Sequence, residues 1–155
     1  MNASVAVSEY VPRIRFDTAE RWGVLYTRIA VGAAFLSAVA SRFGVWDLSF
    51  NVAGHFAKFI QFTGEVNSFM PAWTIPYLAV AATIAESTFG ILLVLGLWQR
   101  WVSIGAAVLL FLFGTAMAIS YGPQSPMDYS VFSASGAAVM LALNAFAKHE
   151  SKGTL

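Results

Sequence analysis

Glu86 lies near the middle of an apolar run from Ile75 to Trp98 that holds no other charged residue. As a helix this run is about 36 Å long, enough to cross a bilayer core of roughly 30 Å. A carboxylate at that depth costs on the order of 3 kcal/mol on insertion scales, so such a group faces a partner or a water-filled cavity rather than lipid. Arg28, inside an earlier apolar run, is the first candidate partner. Counted inward from the flanking tryptophans, Arg28 sits about 9 Å deep and Glu86 about 18 Å deep, a gap that an arginine side chain largely covers. Two chemistries are open. One is a structural ion pair that fixes the first span against the second. The other is a site at which Glu86 exchanges a proton or contacts a quinone or a polar substrate. Arg28 also has the option of snorkelling back to the interface.

The remaining candidates stand at borders. Arg42 closes the first apolar run, and Asp128 precedes the last one, so Asp128 and a lipid phosphate are both candidate partners for Arg42, second to the capping role of Asp128. Ser125-Pro126-Met127-Asp128 has the form of a capping box, with Ser125 as N-cap and Asp128 reaching back, which gives Asp128 a structural alternative. Tyr129, beside it, joins Tyr26 and Phe89 as an aromatic that would line a quinone pocket. His55 and His149 are the only histidines, and neither falls inside an apolar run, so no pair is placed to ligate haem within the membrane. A copper or zinc site from His55 with Met70 or Met127 has no supporting spacing, and no metal site is assigned. The chain has no cysteine, which excludes disulfides, thiol relays and iron–sulfur ligation. No glycine-rich nucleotide loop follows a strand. Redox chemistry would therefore need a quinone or another subunit as the electron carrier, and no covalently held cofactor is expected.

Four apolar runs must position these groups: about Trp22 to Phe43, Ile75 to Trp98, Val102 to Tyr121, and a shorter, more polar one from Tyr129 to Ala147. With 58% hydrophobic and 11% charged residues the composition belongs to the membrane class, and 155 residues suit one bundle. The predicted fold is all-α: an integral membrane four-helix bundle over residues 22–147, with tails at 1–21 and 148–155. Pro71 and Pro76 open the second run, Gly122-Pro123 closes the third, and Gln99-Arg100 reads as a very tight turn between them. All five tryptophans fall at predicted borders, as indole rings favour. Between the first two spans, Phe56, Phe59, Ile60 and Thr63 recur at helical spacing. That predicts an extra helix at the interface or folded back onto the bundle. Small residues on span one (Ala30, Ala33, Ala34, Ser37, Ala38, Ser41), with Gly105, Gly114, Ala134 and Ala138, predict close helix approach inside the bundle, a homodimer face being the alternative.

Arg13, Arg15, Arg21, Arg100, Lys148 and Lys152 share one side of a four-span chain, against Arg42 and Lys58 on the other, which predicts cytoplasmic termini. The polar N-terminus predicts no cleavable signal peptide. A net charge of +1 without a basic run gives no reason to expect nucleic acid as a partner.

Arg28, Gly32 and Arg42 on span one, the block Ala85-Glu86-Ser87-Thr88-Phe89-Gly90-Ile91-Leu92 with Arg100 after it, and Ser125-Pro126-Met127-Asp128-Tyr129-Ser130-Val131-Phe132 resemble the DoxX family of bacterial membrane proteins. Val66-Asn67-Ser68-Phe69-Met70-Pro71 resembles a subgroup with a longer first loop. The resemblance covers roughly Arg28 to Leu143. It implies a multi-pass protein of the bacterial inner membrane, often a subunit of a quinone-linked oxidoreductase, with relatives linked to thiosulfate oxidation or envelope stress. Arg28 and Glu86 match the family's intramembrane charges, but no catalytic residue set comes with the likeness. Three functions follow as expectations: an accessory membrane subunit of a quinone-linked respiratory assembly, a catalytic quinone-reducing subunit, or a small-solute or proton permeation protein. Expected partners are the bilayer, other membrane or redox subunits, and a second copy of the chain.

Overall fold

The computed structural model describes residues 13–48 and 51–153, with side chains described for 18–48 and 51–149. Arg13, Arg15 and Lys152 lie outside those described side chains. The elements are α1 (Arg13–Arg42), α2 (Val52–Val66), a 3-10 turn (Ala72–Thr74), α3 (Ile75–Leu95), α4 (Gln99–Tyr121), a short α5 (Gln124–Asp128) and α6 (Val131–Gly153). Among the described residues there is no strand. Four of the helices are long and apolar enough to cross a membrane: Thr18–Arg42, Ala72–Leu95, Gln99–Tyr121 and Val131–His149. The tryptophans are all exposed, Trp22, Trp98 and Trp101 at one end of the bundle and Trp46 and Trp73 at the other.

The four long helices form a ring in the order α1, α3, α4, α6, with the α1–α3 and α4–α6 seams the most extensive. Lipid tails are as apolar as leucine, so packing rather than water exclusion must hold such helices together. Glycines make that packing close. Gly32 of α1 and Gly90 of α3 meet backbone to backbone: a Cβ on Gly32 would lie 3.0 Å from the Gly90 carbonyl, and one on Gly90 3.1 Å from the Gly32 carbonyl. The Phe89 ring fills the space over Gly105, and the Phe132 ring that over Gly114. A shared core of Val31, Phe35, Leu93, Val102, Ala106, Ala138 and Leu141 draws on all four spans.

Several sequence expectations need correction. The α3–α4 turn is Gly96–Trp98, not Gln99-Arg100. Gly96 (φ 80°) caps α3 in the left-handed region and its N–H reaches the Leu92 and Leu93 carbonyls, while Trp98 (φ 45°) starts α4. Gln99 and Arg100 form the first turn of α4 instead. Helix α1 begins at Arg13 and α6 continues to Gly153. The capping box does not form: Pro123 holds the N-cap position of α5 with no side-chain cap, and Ser125 lies inside the helix. On α1 the small residues Ala30, Ala33, Ala34, Ser37, Ala38 and Ser41 face outward, because Val31, Gly32 and Phe35 form the inward stripe. Gly105, Gly114 and Ala138 do face inward.

The glycine contacts give a paired test. Gly90→Val should force α1 away from α3, since a Cβ there meets the Leu36 side chain at 2.9 Å and the Gly32 carbonyl at 3.1 Å, lowering stability by about 1–3 kcal/mol, the usual cost of overpacking. Gly136→Ala, where a Cβ meets nothing within 4 Å, should instead leave stability unchanged or raise it by about 0.5–1 kcal/mol. Thermal unfolding in detergent, followed by circular dichroism, compares the two.

Candidate functional site: an intramembrane ion pair

Ile75, Ala79, Thr83, Glu86, Gly90 and Leu93 are the buried residues of α3. They recur every three or four residues, which is one face of a helix, so Glu86 lies on the face turned into the bundle. Its side chain is 2% exposed. The partner is Arg42, not Arg28. Arg42 Nη2 donates to both Glu86 carboxylate oxygens at 2.7 Å, and Nη1 donates to the Thr83 hydroxyl at 3.0 Å. Thr83 in turn donates to the Ala79 carbonyl at 2.8 Å, so its hydroxyl is used in both directions. The Phe59 ring of α2 lies over the guanidinium with its centroid 3.6 Å away, a cation–π contact in a desolvated place. Arg42 is 8% exposed and ends α1, where a cation also meets the favourable end of the helix dipole.

The direction of the Cα–Cβ bonds explains the exchange of partners. Side chains on a helix tilt toward its N-terminus. With α1 and α3 antiparallel and in register at Gly32 and Gly90, Arg42 leans back into the bundle and Glu86 leans toward it. Arg28 leans the same way, which from its level, on the far side of Gly32, carries it away from Glu86 and out past the end of α3. Its guanidinium sits beside Gly96, where a Cβ would come within 2.5 Å of Nη1, and its Nη2 approaches the Val94 carbonyl at 3.5 Å. There it places positive charge at the C-terminus of α3. Of the two courses open to Arg28 it takes the one toward the end of the span, and Arg42 takes the pairing with Glu86.

The other sequence candidates are not part of this cluster. Asp128 accepts from the Gln124 amide at 3.4 Å and does not pair with Arg42. Tyr129 follows α5 as an exposed residue, and α5 packs on α4 and α6. His55 has both ring nitrogens engaged, Nε2 with Asp47 at 2.7 Å and Nδ1 with the Asn51 carbonyl at 3.2 Å. Thr83 and Phe59 are the contributors that sequence reasoning did not assign. Thr83 had one signal, its position three residues before Glu86 and hence on the same face.

Removing one member of a buried pair leaves an uncompensated charge, while removing both does not. Arg42→Met should therefore cost about 3–5 kcal/mol, and the double variant Arg42→Met with Glu86→Leu should recover most of that loss. Arg28→Met should cost clearly less. Thermal stability of the four purified proteins in one detergent checks the order; an Arg28 effect as large as that of Arg42 would contradict it.

A family model described as DoxX matches residues 23–120. No curated protein and no solved structure gives a significant match. The matched segment takes in α1 from Gly23, α2, α3 and nearly all of α4, and so contains every residue of the Arg42–Glu86–Thr83–Phe59 cluster: the chain belongs to the DoxX family.

Proposed function

We propose that this protein is an accessory membrane subunit of a quinone-linked redox assembly, with the Arg42–Glu86 pair acting as an internal fastener. The observation that carries the structural half of this reading is the closure of the cluster. Both carboxylate oxygens, the two terminal guanidinium nitrogens and the Thr83 hydroxyl are each engaged with one another or with the backbone. A group that exchanges protons or orients a substrate keeps a hydrogen-bonding position open toward it. Here the polar atoms instead tie α1 to α3 under a cover from α2. The quinone-linked half rests on family membership, since the DoxX likeness implies such assemblies. The same likeness and the distribution of basic residues support placement in a bacterial inner membrane with both termini cytoplasmic.

Two measurements test this. Protein purified alone in mild detergent should show no quinone reduction with a simple electron donor, and a redox partner should co-purify with it; turnover by the isolated chain would end the accessory reading. The natural absence of cysteine makes the topology accessible to single introduced thiols. In intact spheroplasts, a membrane-impermeant maleimide should label Gln124→Cys, and should label His149→Cys only after permeabilisation. The opposite pattern would invert the proposed orientation.

A further inference from the structure

The C-terminal part of α2 buries Thr63 and Val66, whereas its first two turns leave an opening beside α3. Between α2 and α3 runs a shallow groove, open to the outside, of about 440 Å³, walled by Phe43 just past α1, by Val52, Phe56 and Ile60 of α2, and by Val80 and Ile84 of α3. The volume is within the usual range for a ligand site, roughly 300–1,000 Å³. We propose that this groove holds one hydrocarbon chain of a bilayer phospholipid. The inference goes beyond the function proposed above and does not rest on it.

Three observations select that occupant. The first is depth. Val80 and Ile84 lie inside the span Ala72–Leu95, about 8 and 14 Å along the helix from its start at Ile75. That places the α3 wall in the hydrocarbon layer, where water and polar peptides are scarce. The second is chemistry. No charged side chain lines the groove, and its single polar residue, Thr83, already gives its hydrogen to Ala79 and takes one from Arg42. A polar headgroup would find no partner there, whereas a methylene chain needs none. The third is shape. The outward face of α4, with Val108, Phe111 and Leu112 exposed, is the surface of one helix. The groove has walls from three segments, so a chain seated in it gains dispersion contacts on several sides at once.

Thr83 belongs to the groove and to the ion-pair cluster alike. A seated chain therefore packs against the α3 side of the arrangement that Phe59 covers from α2. Lipid in this position completes the apolar surround of Arg42.

The test uses the full chain in vesicles of phosphatidylethanolamine and phosphatidylglycerol, doped with a phosphatidylcholine that carries a diazirine midway along one acyl chain. After photolysis, mass spectrometry locates the adducts. Residues 52–60 and 80–84 should be labelled several-fold more heavily than residues 108–112 on the outward face of α4. Ala57→Trp, which fills the groove from α2, should abolish the groove adducts and leave those on α4. Equal labelling of the two regions would mean ordinary boundary lipid and overturn the proposal. So would a labelled α4 with a bare groove, the result expected if a second copy of the chain occupies it. Should Ala57→Trp not fold, Ile84→Trp fills the groove from the opposite wall, and the labelling ratio in the unsubstituted protein remains decisive.

Discussion

A charge pair buried among four spanning helices has to be satisfied by the protein itself, and the Arg42–Glu86 contact is where this chain meets that demand. Each ion alone would be expensive at such depth; together they present no net charge and few open hydrogen-bonding positions. The arrangement draws on three separate segments. Helix α1 contributes the cation at its C-terminal end, α3 the carboxylate and the threonine, and α2 an aromatic ring. A long first loop is thus not an ornament on the bundle. It brings back the helix that excludes solvent and headgroups from the guanidinium.

The pair is held in register by something simpler. Gly32 and Gly90 let the α1 and α3 backbones touch, and that contact decides which residues of the two helices share a level. Moving it by one turn would shift α1 about 5.4 Å along α3 and take Arg42 away from the carboxylate. Shape and electrostatics cooperate here: the glycines choose the alignment, and the ion pair rewards only that alignment. Packing without side-chain bulk gives little energy by itself in lipid, so a specific polar contact beside it adds selectivity that apolar faces lack.

The spans, their number and the fold class were legible because apolar length, prolines, glycines and border tryptophans all report the same boundaries. The buried position of Glu86 was legible too, since one carboxylate in an uncharged run has few tolerable environments. Its partner was not. Axial depth treats a side chain as a point, whereas Arg28 and Arg42 lean in one direction along α1 and only one of them leans toward Glu86. The turn after α3 was misplaced for a related reason: Gln99 and Arg100 look like surface residues, but Gly96 supplies the left-handed conformation that ends the helix. Small residues on α1 announce that something can come close without saying from which side, and in the structure they turn outward. Helix α2 showed its apolar periodicity in the sequence. Nothing in that pattern singled out Phe59 as the ring that meets a cation.

The brevity of the link between α3 and α4 bears on biogenesis. With only Gly96, Leu97 and Trp98 between them, these two helices have no slack with which to cross the bilayer far apart, and they form one tight hairpin. Translation delivers α1 first. Arg42 precedes the acidic segment in the chain, so the cation that neutralises Glu86 is already made when the hairpin bearing the carboxylate emerges.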